Sequence, residues 1–167
     1  MAELVDALPK WESTSRITQI HKVLQVRILS WLQMNCNTKI EDIKHKDLKR
    51  IADLCFDWCC DNLGYKKRNS PTIRLSKKKF KSDPFYGEAD DSDIVIFSNT
   101  FIQYGKCLKK FIAIIIHEFR HTQQKGGMKR YNKLHAKHGY WNHPMEIEAR
   151  QFEKLWNECY RDIKPLL

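Results

Sequence analysis

Three residues with the spacing H-E-x-x-H could do chemistry in this chain: His117, Glu118 and His121. On a helix of 3.6 residues per turn the two histidines lie only about 40° apart, so both imidazoles can reach one metal ion. Two nitrogens and a carboxylate suit zinc, which leaves its fourth position to water. Glu118 lies about 100° from His117, so we expect it to flank that water and take its proton, and not to bind the metal.

A third ligand must come from another element, and two glutamates follow Pro144. Glu146 and Glu148 project about 200° apart on one helix, so only one of them can face the metal. The spacing within this helix does not choose between them. Six apolar residues, 111–116, precede the histidines and predict a buried helix. A buried helix would hardly carry two histidines and a glutamate without a use for them.

Residues 146–152 read E-x-x-A-x-x-F and begin 25 positions after His121. With H-E-x-x-H, this pattern resembles the glutamate-ligand (gluzincin-like) branch of the zincin metallopeptidases, and in particular the compact ImmA/IrrE-like and lethal-factor-type domains. The resemblance implies Glu146 as the third ligand and Ala149 as the small residue that lets two helices approach. Residues 87–97 resemble the small zincin sheet, so the resemblance covers roughly residues 40–160.

This resemblance implies an α+β, zincin-like fold, in which a small antiparallel or mixed sheet packs on the active-site helix and the following ligand-bearing helix. It also implies a zinc-dependent metallopeptidase that hydrolyses polypeptide substrates with Glu118 as general base. Tyr140 would donate to the oxyanion, and His143 is the second choice for that role. Arg150 departs from the pattern, because some relatives carry there an acidic or amide residue that supports a histidine; Arg120 is a further departure.

Hydrophobic periodicity predicts the elements that must position these residues. We expect helices over 40–62, with Gly64 at the C-cap, over 106–124, with Gly126 and Gly127 as terminator, and from Pro144 towards Cys159. We expect strands over 72–75, near 85–87 as a short edge strand, and over 93–97 as the central strand. The basic segment between the last two helices is predicted as a loop, in which His135, His138 and His143 are solvated.

The composition describes one globular domain of 167 residues, 42% of them hydrophobic. No apolar run approaches the roughly 18 to 20 residues of a membrane span, which excludes a membrane protein. Charged residues among the first twelve positions argue against a secretory signal, so we expect an intracellular, cytoplasmic protein. We expect the six cysteines to be free thiols. Cys55, Cys59 and Cys60 fall in a helical pattern that favours buried packing over a metal site.

Thirty Lys and Arg against twenty Asp and Glu give a formal charge of +10. Such a charge could support weak, non-specific binding of nucleic acid. The basic residues occur in scattered groups, however, so a solubilising surface explains them equally well. The alternative function is therefore a non-catalytic, basic, zinc-containing module that binds nucleic acid or protein, although such a module needs no base at Glu118. A regulatory peptidase acting on DNA-bound proteins would share the hydrolytic mechanism.

Residues 1–33 have two interpretations. Residues 1–7 and 25–29 resemble the in-frame translation of the D-arm and T-arm of a leucine tRNA gene, which would place the true start at Met34 and suit a phage, virus or mobile element. Alternatively, Ile17, Ile20, Leu24 and Ile28 follow helical spacing and would form a first helix. In either case we predict the metallopeptidase domain over residues 34–167.

Overall fold

The computed structural model describes residues 35–65, 71–79, 85–90 and 92–167, and Cys36–Leu167 form one compact unit. Both interpretations of residues 1–33 lie outside the described residues. The helices and strands follow in chain order: α1 (His45–Leu63), β1 (Thr72–Ser76), β2 (Gly87–Ala89), β3 (Asp93–Phe97), α2 (Ser98–Gln103), α3 (Leu108–Gln123), α4 (Gly127–His138), α5 (Pro144–Phe152) and α6 (Trp156–Ile163). Short 3₁₀ turns occupy Ile40–Asp42, Glu153–Leu155 and Lys164–Leu166. The α+β fold class is confirmed.

The sheet has the order β1-β3-β2 and is mixed. β1 runs parallel to β3, with Thr72 opposite Asp93, and β2 runs antiparallel to β3, with Gly87 opposite Ile96. The prediction of β3 as the central strand is confirmed, since its residues 94–97 are all buried. The short edge strand exists, but it lies two residues later than predicted. The Phe97 N–H donates to the Tyr86 carbonyl at 2.9 Å just before β2 begins.

The first predicted helix is interrupted near its start. Ile40–Asp42 form a 3₁₀ turn, and α1 begins only at His45. Ile40 is bound to the segment before α3 and not to α1, because its N–H donates to the Lys106 carbonyl at 3.0 Å. At the other end Gly64 follows α1 with a φ of 72°, a left-handed value that favours glycine, so the predicted C-cap is confirmed.

The buried centre of the fold is α3, in which every residue from Phe111 to Phe119 is buried. It contacts α1, α5, α6 and the strands β2 and β3. Such a helix can be apolar all round because other elements cover every side of it. Its burial matters for the site, since the polar side chains of His117 and Glu118 need partners inside the core.

The end of α3 and the segment after it differ from the predictions. α3 ends at Gln123 because Gln124 is extended, so the expected glycine terminator is wrong. Gly126 instead has a φ of 98° and precedes α4, which replaces the predicted loop. The spacing of Tyr131, Leu134 and His138, all half-buried, gives α4 one inward-facing side. This narrow stripe in a strongly polar segment is a weak sequence signal.

The last helical segment begins as predicted, with Pro144 in the first turn of α5. Ala149 is fully buried on α5, which packs against α3, in keeping with a small residue at a close helix contact. The 3₁₀ turn Glu153–Leu155 then separates α5 from α6. Cys55 and Cys59 are buried as predicted, whereas Cys60 is only half-buried, because it lies near the end of the buried side of α1. Cys55 contacts Cys159 of α6, and all six cysteines are free thiols. None of the helices in the described ranges has the length and apolar character needed to cross a bilayer.

Candidate metal centre

The two histidines of α3 face each other across one helical turn. Nε2 of His117 lies 3.1 Å from Nε2 of His121. Both side chains are close to buried, being 7% and 12% exposed. The burial follows from their position near the C-terminal end of α3, where α5 covers the helix. The two imidazoles therefore lie close enough to bind one metal ion, as their spacing in the sequence predicts.

Glu146 completes a triangle with the two histidines. Its Oε2 lies 3.3 Å from Nε2 of His117, and its Oε1 lies 3.4 Å from Nε2 of His121. Four zinc ligands at about 2.0 to 2.2 Å in a tetrahedron would be separated by about 3.3 to 3.5 Å. The nitrogen–nitrogen distance of 3.1 Å and the nitrogen–oxygen distances of 3.3 and 3.4 Å, which involve different oxygens of Glu146, are close to this spacing. Together the three side chains could hold a metal ion.

A local feature of α5 places Glu146 in this triangle. His143 caps the helix, because its Nδ1 accepts a hydrogen bond from the Met145 N–H at 3.2 Å. Pro144 occupies the first turn, where its missing N–H leaves no hydrogen bond unmade. Glu146 follows in the same first turn and is buried. The cap and the proline therefore fix the residue at which α5 begins, and this sets the direction of the Glu146 side chain.

Glu148, the other candidate ligand, binds other side chains instead of facing the histidines. Its Oε1 accepts a hydrogen bond from the Arg120 guanidinium, and its Oε2 accepts one from Nε2 of Gln124 at 3.0 Å. These contacts hold the pKa of Glu148 below its usual value. Arg120 therefore serves as a cross-link between α3 and α5, and it also packs over the Phe152 ring at 4.5 Å. The two glutamates thus point in different directions, as expected for residues about 200° apart on one helix.

The chemistry of the donor set fits a divalent metal. Oε2 of Glu146 is buried and has no hydrogen-bond donor among the described residues, which is costly unless a cation lies nearby. Burial raises the pKa of Glu146, but its interactions with His117 and His121 outweigh this effect and hold the pKa far below its usual range. Burial lowers the pKa of His117, yet its interactions with Glu146 and Glu153 raise it to about 9. Protons on the imidazoles therefore balance the Glu146 charge in the metal-free protein.

A second layer of hydrogen bonds orients both imidazoles. Nδ1 of His117 lies 2.9 Å from Oε1 of Glu153, and Nδ1 of His121 lies 2.8 Å from Oε1 of Gln124. The Gln124 amide is held in this orientation because its Nε2 donates to the Met145 carbonyl at 2.9 Å. Nδ1–H donation to these oxygens directs each Nε2 lone pair towards the centre, as in other metal sites with histidine ligands.

The sequence analysis missed Glu153 and Gln124, although each lies at a helical spacing from a metal ligand. Glu153 follows Glu146 by seven residues and Gln124 follows His117 by seven, which is nearly two full turns. Arg150, where an acidic or amide support was expected from relatives, does not contact the histidines. Its guanidinium donates to the Trp141 carbonyl at 2.7 Å. The supporting carboxylate therefore comes from one turn further along the chain.

Glu118 lies beside the triangle and is not a member of it. The side chain is buried, and burial raises its pKa to about 7, although the charges of His117 and His121 oppose the shift. Gly87 of β2 makes room for it, because a Cβ atom at this position would lie 2.8 Å from Cγ of Glu118. Edge strand β2 and the carboxyl group of Glu118 are thus in direct proximity.

Two tyrosines lie near the Glu146 carboxylate. The Tyr131 hydroxyl of α4 donates to Oε1 of Glu146 at 2.9 Å. Tyr140, the predicted oxyanion donor, is 47% exposed. Burial and the negative charge of Glu146 raise the pKa of Tyr140 to about 12, so the hydroxyl keeps its proton near neutral pH. Tyr131 was missed because nothing in its sequence spacing connects it to the motif.

The three histidines expected in a solvated loop have other environments. His143 is fully buried and stacks on Tyr131 with ring centroids 4.2 Å apart. Its Nε2 lies 3.0 Å from the Tyr131 carbonyl and its Nδ1 caps α5, so both nitrogens are used and neither is free to donate to an oxyanion. His135 is exposed and His138 is half-buried, and both belong to α4. The loop prediction is therefore wrong for His135 and His138, although His135 is exposed as predicted. His143 does lie outside the helices, but it is buried and not solvated.

The arrangement can bind a metal between three side chains and place a buried carboxyl group beside it. No protein-family model, no curated protein and no solved structure matches this chain.

Proposed function

We propose that this chain is a zinc-dependent metallopeptidase of the glutamate-ligand zincin type. The observation that carries the proposal is the triangle of His117, His121 and Glu146, whose ligand atoms lie within 4.8 Å of one another, next to the buried carboxyl group of Glu118. A zinc ion bound there supplies Lewis acidity, which lowers the pKa of a water to about 7 and polarises a carbonyl.

The residues of the chain have separate roles in this proposal. Glu118 takes the proton of the attacking water and passes it to the leaving amine, a task that suits a group whose pKa is raised to about 7 by burial. Tyr140 donates its hydroxyl proton in a hydrogen bond to the developing oxyanion. Glu153 and Gln124 keep the two imidazoles oriented. α3 and α5 hold all of these groups on rigid elements.

A purely structural metal site explains Glu118 less well. A buried carboxyl group costs free energy, and Glu118 is only 7% exposed. Its raised pKa comes mainly from that burial. A buried group with a shifted pKa next to a set of metal ligands is typical of a catalytic centre. We therefore favour the peptidase over the non-catalytic zinc module.

We also place the protein in the cytoplasm, because all six of its cysteines are free thiols. Free thiols persist in compartments that are kept reducing, whereas secreted proteins of this size commonly carry disulfides. The substrates would then be cytoplasmic polypeptides.

Metal content and hydrolysis, measured on the same preparations, test the proposal. We expect about one zinc per chain for the wild type and for Glu118→Gln, since this substitution leaves all three ligands in place. We expect Glu118→Gln to abolish cleavage of an unfolded protein such as reduced casein, and His121→Ala to lose the zinc. Circular dichroism establishes that each variant is folded. A zinc content near zero, or full activity of Glu118→Gln, would contradict the proposal.

A further inference from the structure

α4 lies in a stretch of the chain whose charged residues are all basic. Between Glu118 and Glu146 there is no acidic residue, whereas this interval carries six basic ones: Arg120, Lys125, Lys129, Arg130, Lys133 and Lys137. Four of them belong to α4, which is a single helix of twelve residues. Although the basic residues of the sequence are scattered, the fold places four of them together on one helix.

Three of these lysines form a stripe on α4. Lys129, Lys133 and Lys137 follow one another at intervals of four residues, so they fall within an arc of about 80°. All three are exposed, while Tyr131 and His138 on the other side of the helix are half-buried. We call these three residues the lysine stripe.

The lysine stripe has no acidic partner among the described residues. On α1, Lys49 is paired with Asp53 four residues later at 2.7 Å. Like charges at the same spacing repel each other and destabilise a helix. A helix face selected only for solubility would mix the two signs, as α1 does.

α4 also borders the candidate metal centre. The Tyr131 hydroxyl, on the inward side of the helix, donates to Oε1 of Glu146 at 2.9 Å, and the Tyr131 ring stacks on His143. A molecule bound to the lysine stripe therefore lies on the element that touches a metal ligand. A positive surface on an element that borders a reaction site raises the local concentration of anionic substrates.

We propose that the lysine stripe of α4 binds an acidic segment of the polypeptide substrate. This inference rests on the proposed peptidase function and names the class of its substrate. Successive lysines of the stripe rise by about 6 Å along the helix axis. Alternate residues of an extended chain are spaced by about 6.6 to 6.8 Å, so Asp or Glu at every second position can meet successive lysines. An extended chain is also the form in which a peptide bond is accessible to a metal centre.

Fluorescence anisotropy of a labelled peptide tests the inference. The probe is a twelve-residue Gly-Glu repeat, and the protein is the zinc-loaded full chain carrying Glu118→Gln, so that the probe is not consumed. The test variant adds Lys129→Gln, Lys133→Gln and Lys137→Gln. The matched control instead adds Lys46→Gln, Lys77→Gln and Lys79→Gln, which remove the same charge from exposed lysines outside α4.

We expect the test variant to bind the probe about tenfold more weakly than the parent, and the control to remain within about twofold. Binding should also weaken as NaCl is raised to about 0.5 M, because salt screens exposed charges. Equal weakening in both variants would overturn the inference, since binding would then follow the net charge alone. Tighter binding of single-stranded DNA of equal charge through the same three lysines would overturn it in favour of a nucleic-acid partner.

Hydrolysis separates this inference from the proposed function. With Glu118 restored, the wild type should cleave acidic peptides at a lower KM than their Gln-substituted counterparts, and the lysine variant should lose that difference while retaining zinc. Cleavage of both peptide types with equal KM leaves a peptidase whose substrate is not selected by α4, and so contradicts the inference alone. Absence of cleavage by zinc-loaded wild type contradicts the proposed function, whatever the anisotropy shows.

Discussion

Oε1 of Glu153 lies 2.9 Å from Nδ1 of His117, although Glu153 lies in the 3₁₀ turn beyond α5 and His117 in the middle of the buried helix α3. The other oxygen of Glu153 lies 3.2 Å from Nζ of Lys110, which stands two turns before His117 on the same helix. Glu153 thus connects a metal-ligand histidine to a half-exposed cation. It is the contact that orients the His117 ring.

This contact predicts a graded loss of metal affinity. We expect Glu153→Ala to weaken zinc binding about 10- to 100-fold, because outer-shell partners of metal-bound histidines have effects of this size. Glu153→Gln keeps an oxygen that can accept from Nδ1–H and should lose less. Competition with a chromogenic zinc chelator measures both affinities. Equal affinities for wild type and Glu153→Ala would show that His117 needs no such support.

The separation of Glu146 from Glu148 predicts opposite metal contents for two similar variants. Glu146→Ala should lose the zinc, since it removes a ligand from the triangle. Glu148→Ala should keep it and lose the half-exposed ion pair with Arg120 and the hydrogen bond from Gln124, at a cost of about 1 to 2 kcal/mol in the free energy of unfolding. Metal analysis and urea unfolding measure the two effects. Zinc lost from Glu148→Ala and kept by Glu146→Ala would reverse our assignment.

The close approach of β2 to Glu118 predicts that Gly87→Ala damages hydrolysis without removing the metal. The new Cβ would lie 2.8 Å from Cγ of Glu118, so the carboxyl group must move. A displacement of about 1 Å can lower a rate by as much as 100-fold. We expect a large fall in kcat with unchanged zinc content, whereas Glu88→Gln on the exposed side of the same strand should remain close to wild type. Unimpaired kcat in Gly87→Ala would remove β2 from the site.

The pKa of about 9 for His117 in the metal-free protein predicts a pH-dependent affinity for zinc. Zinc needs the neutral imidazole, so below pH 9 binding must release that proton, and apparent affinity should rise about tenfold per pH unit for each proton released. The increase should level off above about pH 9. Chelator competition between pH 6 and 10 measures it. An affinity independent of pH over pH 6 to 8 would contradict a protonated His117.

The two tyrosines near Glu146 should differ in what they affect. Tyr131→Phe removes the hydrogen bond to Oε1 of Glu146 and should weaken zinc binding by up to about tenfold, as for other supports of a ligand. Tyr140→Phe should leave zinc affinity unchanged and lower kcat, if Tyr140 is the oxyanion donor. Parallel measurements of zinc affinity and kcat distinguish these roles. A fall in kcat with Tyr131→Phe alone would transfer the oxyanion role to Tyr131.

The sequence predicts the local parts of the site well, because they depend on helix periodicity. H-E-x-x-H on an apolar helix brings His117 and His121 together whatever surrounds them. The choice between Glu146 and Glu148 requires the orientation of α5 against α3, which local spacing does not contain. Glu153 lies between these cases, since its seven-residue spacing from Glu146 is visible in the sequence, but its contact with His117 depends on tertiary packing.

The α4 segment shows why other parts could not be predicted. A Gly-Gly start and a highly polar composition favour a loop, whereas the helix forms because one narrow side containing Tyr131 and Leu134 packs inward. With α4 predicted as a loop, Tyr131 has no expected position near Glu146. The buried cap formed by His143 was missed for the same reason, since its second hydrogen bond goes to the Tyr131 carbonyl.

The location of zinc in crystals of the full chain tests the central claim most directly. The Glu118→Gln variant, loaded with one equivalent of zinc, is the sample, and diffraction data are collected on both sides of the zinc absorption edge. We expect one anomalous peak at about 2.0 to 2.2 Å from Nε2 of His117, Nε2 of His121 and a carboxylate oxygen of Glu146. The absence of a peak between these three side chains, or a peak held by Glu148 or by the cysteines, would contradict the account.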